Sequence, residues 1–129
     1  MRFCTAINCI DGRVQLPVIN YLQKRFNVEY VDSITEAGPG LILSEEKNIA
    51  AIQSIFTGLD ISIEKHNSAG IAIVVHHDCA ANPAPENDQI IHLQKAIRFL
   101  RRHYEHIEII GLSIDKDWQV HEIEDAQVN

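Results

Sequence analysis

Basic residues are in short supply in this sequence. Eleven lysines and arginines stand against eighteen aspartates and glutamates, for a net charge of −7. A chain of that sign repels phosphate backbones and anionic lipid, so neither a nucleic-acid nor a membrane partner is expected. Long apolar runs are missing too. None approaches the ~18 residues a bilayer-spanning helix needs, and the first residues read as a strand rather than as a signal peptide. A cytoplasmic location is the resulting expectation. Cysteine is sparse: there are three, an odd count that suits no disulfide framework. Low-complexity tracts and internal repeats are absent. The hydrophobic fraction of 46% over 129 residues is enough for a single domain, 1–129, whose core needs no covalent staple.

What is present alternates between strand-like and helix-like stretches. Arg2 to Cys9 is rich in apolar residues with little alternation, as in a central strand. Pro17 suits the first turn of a helix, and Val18, Ile19, Leu22 and Phe26 recur at helical spacing. Val28 to Ile34 reads as a second strand. Gly38-Pro39-Gly40 reads as a loop, because it holds the strongest breakers. Ser44 is the expected N-cap of a helix striped by Ile49, Ile52, Ile55 and Phe56, with Gly58 ending it and a short helical turn from Asp60 to His66 beyond. Ile71 to Val75 is a buried strand. Pro83 and Pro85 mark a loop, and a helix from about Glu86 to Tyr104 follows, striped by Ile90, Leu93, Ile97 and Leu100. Lys95, Arg98, Arg101 and Arg102 occupy its solvated face. Ile107 to Ile114 is another strand, and Trp118 to Ile123 returns beside it as an edge strand after a turn at Asp115-Lys116-Asp117. The tail from Glu124 is polar and expected to be loose. The pattern predicts an α/β fold: a mostly parallel central sheet, helices on both faces and a C-terminal edge hairpin.

Two strand ends carry the chemistry. Val74-Val75-His76-His77-Asp78-Cys79 leaves its strand with a histidine and, three residues later, a cysteine. Cys9-Ile10-Asp11-Gly12-Arg13 leaves another. In a parallel sheet, ligands collect beyond the carboxyl ends of strands, so neighbouring strands would bring Cys9, His76 and Cys79 together. Two thiolates and an imidazole suit Zn2+ and leave its fourth position open. Side chains two apart on an extended segment share a side, so Asp11 and Arg13 are expected beside Cys9, with Arg13 keeping Asp11 ionised. Asp11 then orients a zinc-bound hydroxide, or rotates in as a fourth ligand and closes the site. Cys4 is read as core, Asp78 as a cap of its turn and His77 as a surface residue. His66, His92, His103, His106 and His121 are expected on solvent or helix faces.

The pair Cys-Ile-Asp-Gly-Arg and His-His-Asp-Cys resembles the C-x-D-x-R and H-x-x-C motifs of the β-class carbonic anhydrases. The likeness extends to Val31–Pro39 and to Gly111–Val120. It implies Cys9, His76 and Cys79 as zinc ligands, with Asp11 and Arg13 as the catalytic pair beside the metal. The implied activity is reversible hydration of carbon dioxide to bicarbonate by zinc hydroxide. Hydrolysis of carbonyl sulfide or carbon disulfide, or zinc binding without catalysis, are the alternatives. The resemblance also implies a homodimer or higher homo-oligomer. The chain departs from the family pattern in starting at the first strand, without a helical arm. It also departs at Val75 and Ala80, where the family usually has glycine; each adds a β-carbon beside the site.

Overall fold

A computed structural model gives the fold and describes residues 1–124; the polar tail beyond Glu124 lies outside the described residues. In chain order the elements are β1 (Phe3–Cys9), a 3-10 turn (Gly12–Val14), α1 (Gln15–Arg25), β2 (Tyr30–Glu36), α2 (Pro39–Glu45), α3 (Ile49–His66), β3 (Gly70–His76), α4 (Glu86–His103), β4 (Glu108–Ile114) and β5 (Val120–Ile123). The sheet order is β2-β1-β3-β4-β5. The first four strands run parallel, and β5 pairs antiparallel with β4 at the edge. The expected α/β architecture is therefore the observed one. No helix among the described residues is long and apolar enough to cross a membrane.

The apolar strands sort onto two faces. On β3, Ala72 and Val74 pack with Val18, Leu22 and Phe26 around α1. Ile71, Ile73 and Val75 point the other way, into a core shared with Leu43 of α2, Ile55 of α3 and Leu93 of α4. Every residue of β3 is buried. A strand covered on both faces reads as an unbroken apolar run for that reason. α4 carries Glu86 and Asp88 in its first turn and Arg101, Arg102 and His103 in its last, matching the helix dipole at both ends. Arg102 pairs with Glu46 at 2.9 Å.

Three local expectations are corrected. Gly38-Pro39-Gly40 opens a helix and is not a loop. Gly38 adopts the left-handed conformation (φ 65°) just before it, and Pro39 supplies the first turn. Ser44 lies inside that helix; the N-cap of α3 is Asn48, whose side chain accepts the Ala51 N–H at 3.1 Å. Gly58 does not end α3, which runs unbroken to His66. A β-carbon at Gly58 would stand 2.9 Å from Ile34 Cδ1, so this glycine lets the helix lie close against β2. His66 lies on a helix face as expected, at the end of α3. It is partly buried at the amino end of the sheet, stacked on Phe3 with ring centres 4.1 Å apart and held by Asp32 at 2.7 Å.

The chain enters the sheet at β1, steps outward to β2, then crosses back to β3 on the other side of β1. Strand order thus reverses between β1 and β3, and ligands in open parallel sheets bind at that crevice. Cys9 is the last residue of β1 and His76 the last of β3.

Candidate metal centre

Cys9, His76 and Cys79 converge at this crevice. One donor atom from each lies within 4.8 Å of the other two, and all three residues are buried. They form the single such cluster of three or more among the described residues. The sulfurs of Cys9 and Cys79 are 4.0 Å apart. Two sulfurs bound at ~2.3 Å to one tetrahedral ion stand about 3.8 Å apart, so the observed spacing needs little change.

Each donor is positioned by its own strand end. The Cys9 N–H donates to Asn8 Oδ1 at 2.9 Å. Gln15 Nε2 donates to the carbonyls of Cys9 (2.7 Å) and Asp11 (2.9 Å), pinning the bend that follows β1. His76 Nδ1–H donates to the His77 carbonyl at 2.7 Å, which fixes the ring and leaves Nε2 as the lone-pair nitrogen. Nε2 is buried without a partner among the described residues. An unpaired buried imidazole nitrogen between two sulfurs is an unfavourable arrangement that a cation would satisfy. The His77 N–H donates to the Ile114 carbonyl at 2.9 Å, anchoring the turn to β4. Asp78 adopts φ 58°, a conformation aspartate tolerates, and this swings Cys79 back towards Cys9. Burial pushes the Cys79 thiol up, with the nearby Cys9 adding to that, while backbone N–H groups of Ala81 and Asn82 oppose it.

Asp11 and Arg13 are paired as expected, by a different route. β1 ends at Cys9 and the backbone tightens into the 3-10 turn, so extended alternation does not carry through to residue 13. The Arg13 N–H donates to Asp11 Oδ1 at 2.9 Å, and its guanidinium closes on the same carboxylate, with Nη2 to Oδ2 at 2.7 Å. The side-chain hydrogen bonds of Arg13, and after them its backbone N–H, hold the Asp11 carboxyl down at about 2. Asp11 lies outside the cluster of three candidate donors, and its oxygens are engaged by Arg13.

Two residues that sequence reasoning did not place here complete the arginine's surroundings. Asp78, read only as a cap, accepts Arg13 Nη1 at its Oδ2 and Nη2 at its carbonyl, both at 3.2 Å. The guanidinium lies 4.5 Å from the centre of the Trp118 ring, a cation–π contact. That ring also stands 6.4 Å from both His76 and His77. A lone tryptophan in the turn before an edge strand carries no sequence signal for this role.

The three donors border a small chamber whose other walls are Gly38, Pro39, Gly40, Val74, Val75, Asn82 and Gln89, with a volume of about 10 Å3. That is room for about one water. Val75 closes one side: its Cγ1 occupies the notch left by Gly40, 2.5 Å from where a β-carbon there would stand. Gln89 also lines a separate cleft of about 590 Å3, together with His77, Asp78, Glu86 and Lys116.

With this geometry in place, comparison with known proteins is informative. A family model described as "Putative carbonic anhydrase" matches residues 1–124. No curated protein matches the sequence. Similar solved structures include a β-carbonic anhydrase of Trichomonas vaginalis, with 18% identity and a TM-score of 0.63 over 96% of this chain and 83% of that one. A tetrameric β-carbonic anhydrase of Sordaria macrospora has 11% identity and a TM-score of 0.65, over 93% and 79%. A β-carbonic anhydrase of Aspergillus fumigatus has 10% identity and a TM-score of 0.63, over 97% and 76%. At such identities the structural likeness establishes the fold.

Proposed function

Because the chain belongs to this carbonic anhydrase family, we propose that it binds one Zn2+ through Cys9, His76 and Cys79 and catalyses the reversible hydration of carbon dioxide to bicarbonate. The observation that carries the reading is the buried cluster of two sulfurs and one unpartnered imidazole nitrogen at the β1/β3 switch point. When bound there, zinc would supply the Lewis acidity that makes water a nucleophile near neutral pH. The remaining work falls to the chain. The His77 carbonyl keeps the proton of His76 on Nδ1, so Nε2 stays available. Arg13 keeps Asp11 ionised across the physiological range, and Asp11 serves as the acceptor that orients the nucleophile. Asp78 and Trp118 hold Arg13 in place. Pro39, Val74 and Val75 give carbon dioxide an apolar wall.

The test is stopped-flow carbon dioxide hydration on zinc-replete protein from neutral to alkaline pH. A rate above buffer that rises with pH, and that disappears in Asp11→Asn, is the expected result. No rate at any pH, with one zinc per chain confirmed in the same sample, would end the hydratase reading. Carbonyl sulfide and carbon disulfide belong in the same panel, since the chamber walls do not distinguish linear triatomic substrates.

A chamber with room for about one water favours a second reading, a zinc-binding protein without turnover. The rate measurement separates the two. We also propose a homodimer or larger assembly. Ile10 and Leu16 are 64% and 69% exposed on the segment that follows Cys9, and a second copy would cover them. A monomer at micromolar concentration in light scattering would contradict this.

A further inference from the structure

The metal chamber contains a second buried atom without a partner. Asn82 is 3% exposed, lines the same cavity as Cys9, His76 and Cys79, and its Oδ1 makes no hydrogen bond among the described residues. The rest of the residue is fixed. Its Nδ2–H donates to His92 Nδ1 at 3.2 Å, its backbone N–H donates to the Cys79 carbonyl at 3.3 Å, and its carbonyl accepts Gln89 Nε2–H at 3.0 Å. Nδ2 faces His92 on α4, so the amide oxygen is the atom left over. Sequence reading gave Asn82 no role, because an asparagine three residues past a cysteine looks like any turn residue.

Burying an amide oxygen unpaired is unfavourable by more than a hydrogen bond returns, and such atoms are rare in folded proteins. This one borders a cavity with room for about one water. The Asp11 carboxylate, held by Arg13 at both oxygens, is not among the residues that line this cavity, so it does not satisfy the amide oxygen there. We propose that Asn82 Oδ1 is a second hydrogen-bond acceptor, besides Asp11, for the small ligand that shares the chamber with the metal. It makes the site select ligands that carry a proton over aprotic anions of like size. The physical basis is the asymmetry of a buried acceptor: an X–H group satisfies it, whereas a bare anion leaves it unpaired and faces its negative end. The inference rests on the metal reading of Cys9, His76 and Cys79, and not on carbon dioxide being the substrate.

The experiment uses the full chain loaded with Co2+, whose visible absorption reports ligands at the metal. Hydrosulfide, which carries a proton, and bromide, which does not and is of similar size, are titrated at constant ionic strength. In Asn82→Leu, of similar size but without an acceptor, hydrosulfide should weaken about tenfold, as loss of one hydrogen bond implies, with bromide not weakened or bound more tightly. Asn82→Asp keeps an acceptor and should keep the hydrosulfide-to-bromide ratio within about threefold of wild type on the same reasoning. If Asn82→Leu fails to fold, Asn82→Ala removes the acceptor without adding bulk and must show the same change in ratio. An unchanged hydrosulfide affinity, or an equal loss for both ligands, overturns the proposal. A chain that takes up no cobalt overturns it together with the metal reading. A chain that takes up cobalt and discriminates through Asn82, yet hydrates no carbon dioxide, keeps this inference and loses only the catalytic one.

Discussion

Asp11 owes its ionisation to a neighbour that the backbone itself supplies. Three donors of Arg13, the backbone N–H, Nε and Nη2, converge on its carboxylate, and each favours the charged form. In Arg13→Gln the Asp11 carboxyl should rise from about 2 towards the ordinary value of about 3.9, as read by carboxyl chemical shifts against pH. The linkage has a definite sign. A carboxylate whose pKa is depressed by folding adds stability above its unfolded value, and that stability is lost as pH falls through about 2. Wild type should therefore lose this contribution between about pH 4 and pH 2, and Arg13→Gln, which keeps the backbone N–H but loses the guanidinium, should lack most of it at any pH. A carboxyl that still titrates near 2 in the variant would mean that the turn, and not the Arg13 guanidinium, holds the charge. That Cys9, His76 and Cys79 would meet was legible in the sequence at this scale, because residue types that can hold a metal stand at recognisable strand ends. Asn82, Gln15 and Trp118 were not. Their roles depend on which atoms remain unpaired once the chain is folded, and composition carries no record of that.

Among the elements, those that bury a continuous apolar face were the legible ones: β1 and β3 between covered faces, and α4 with its stripe from Ile90 to Leu100. α2 was missed because Gly-Pro-Gly reads as punctuation, whereas here glycine supplies the left-handed entry and proline the first turn. The same short helix settles how Val75 is accommodated. Its side chain does not displace the loop beside the site, because Gly40 leaves room for its Cγ1. The packing is reciprocal and so can be tested as a pair. Gly40→Ala should destabilise the protein by about 1–3 kcal/mol, the usual range for overpacking, despite alanine's better helix propensity. In a Val75→Ala background the clash is gone, and the same substitution should be neutral or mildly stabilising. A double-mutant cycle by urea unfolding reads the coupling. Additive effects would show that α2 and β3 do not meet in solution as they do here.

For the whole molecule, the central fact is that the three donors come from the ends of two strands with the entire α1–β2–α2–α3 excursion between them. They meet only when β1 and β3 are paired, so the unfolded chain holds no comparable site. A ligand that binds the native state alone stabilises it by about 2.7 kcal/mol at a hundredfold excess over its dissociation constant. For a chain of this size that corresponds to a melting shift of roughly 10 °C. Zinc-loaded protein should therefore melt roughly 10 °C above protein stripped by chelator. Cys79→Ser, which keeps the turn and removes a sulfur, should lose most of that difference while its metal-free form melts near metal-free wild type. The comparison distinguishes a native-state centre from zinc held by scattered surface histidines such as His103 and His106. Those are near enough in sequence to capture metal in the unfolded chain as well, and binding to both states leaves the melting temperature almost unmoved. Equal melting with and without one equivalent of zinc would place the metal on such a site, and the switch point between β1 and β3 would then be a packed strand crossing with two buried thiols.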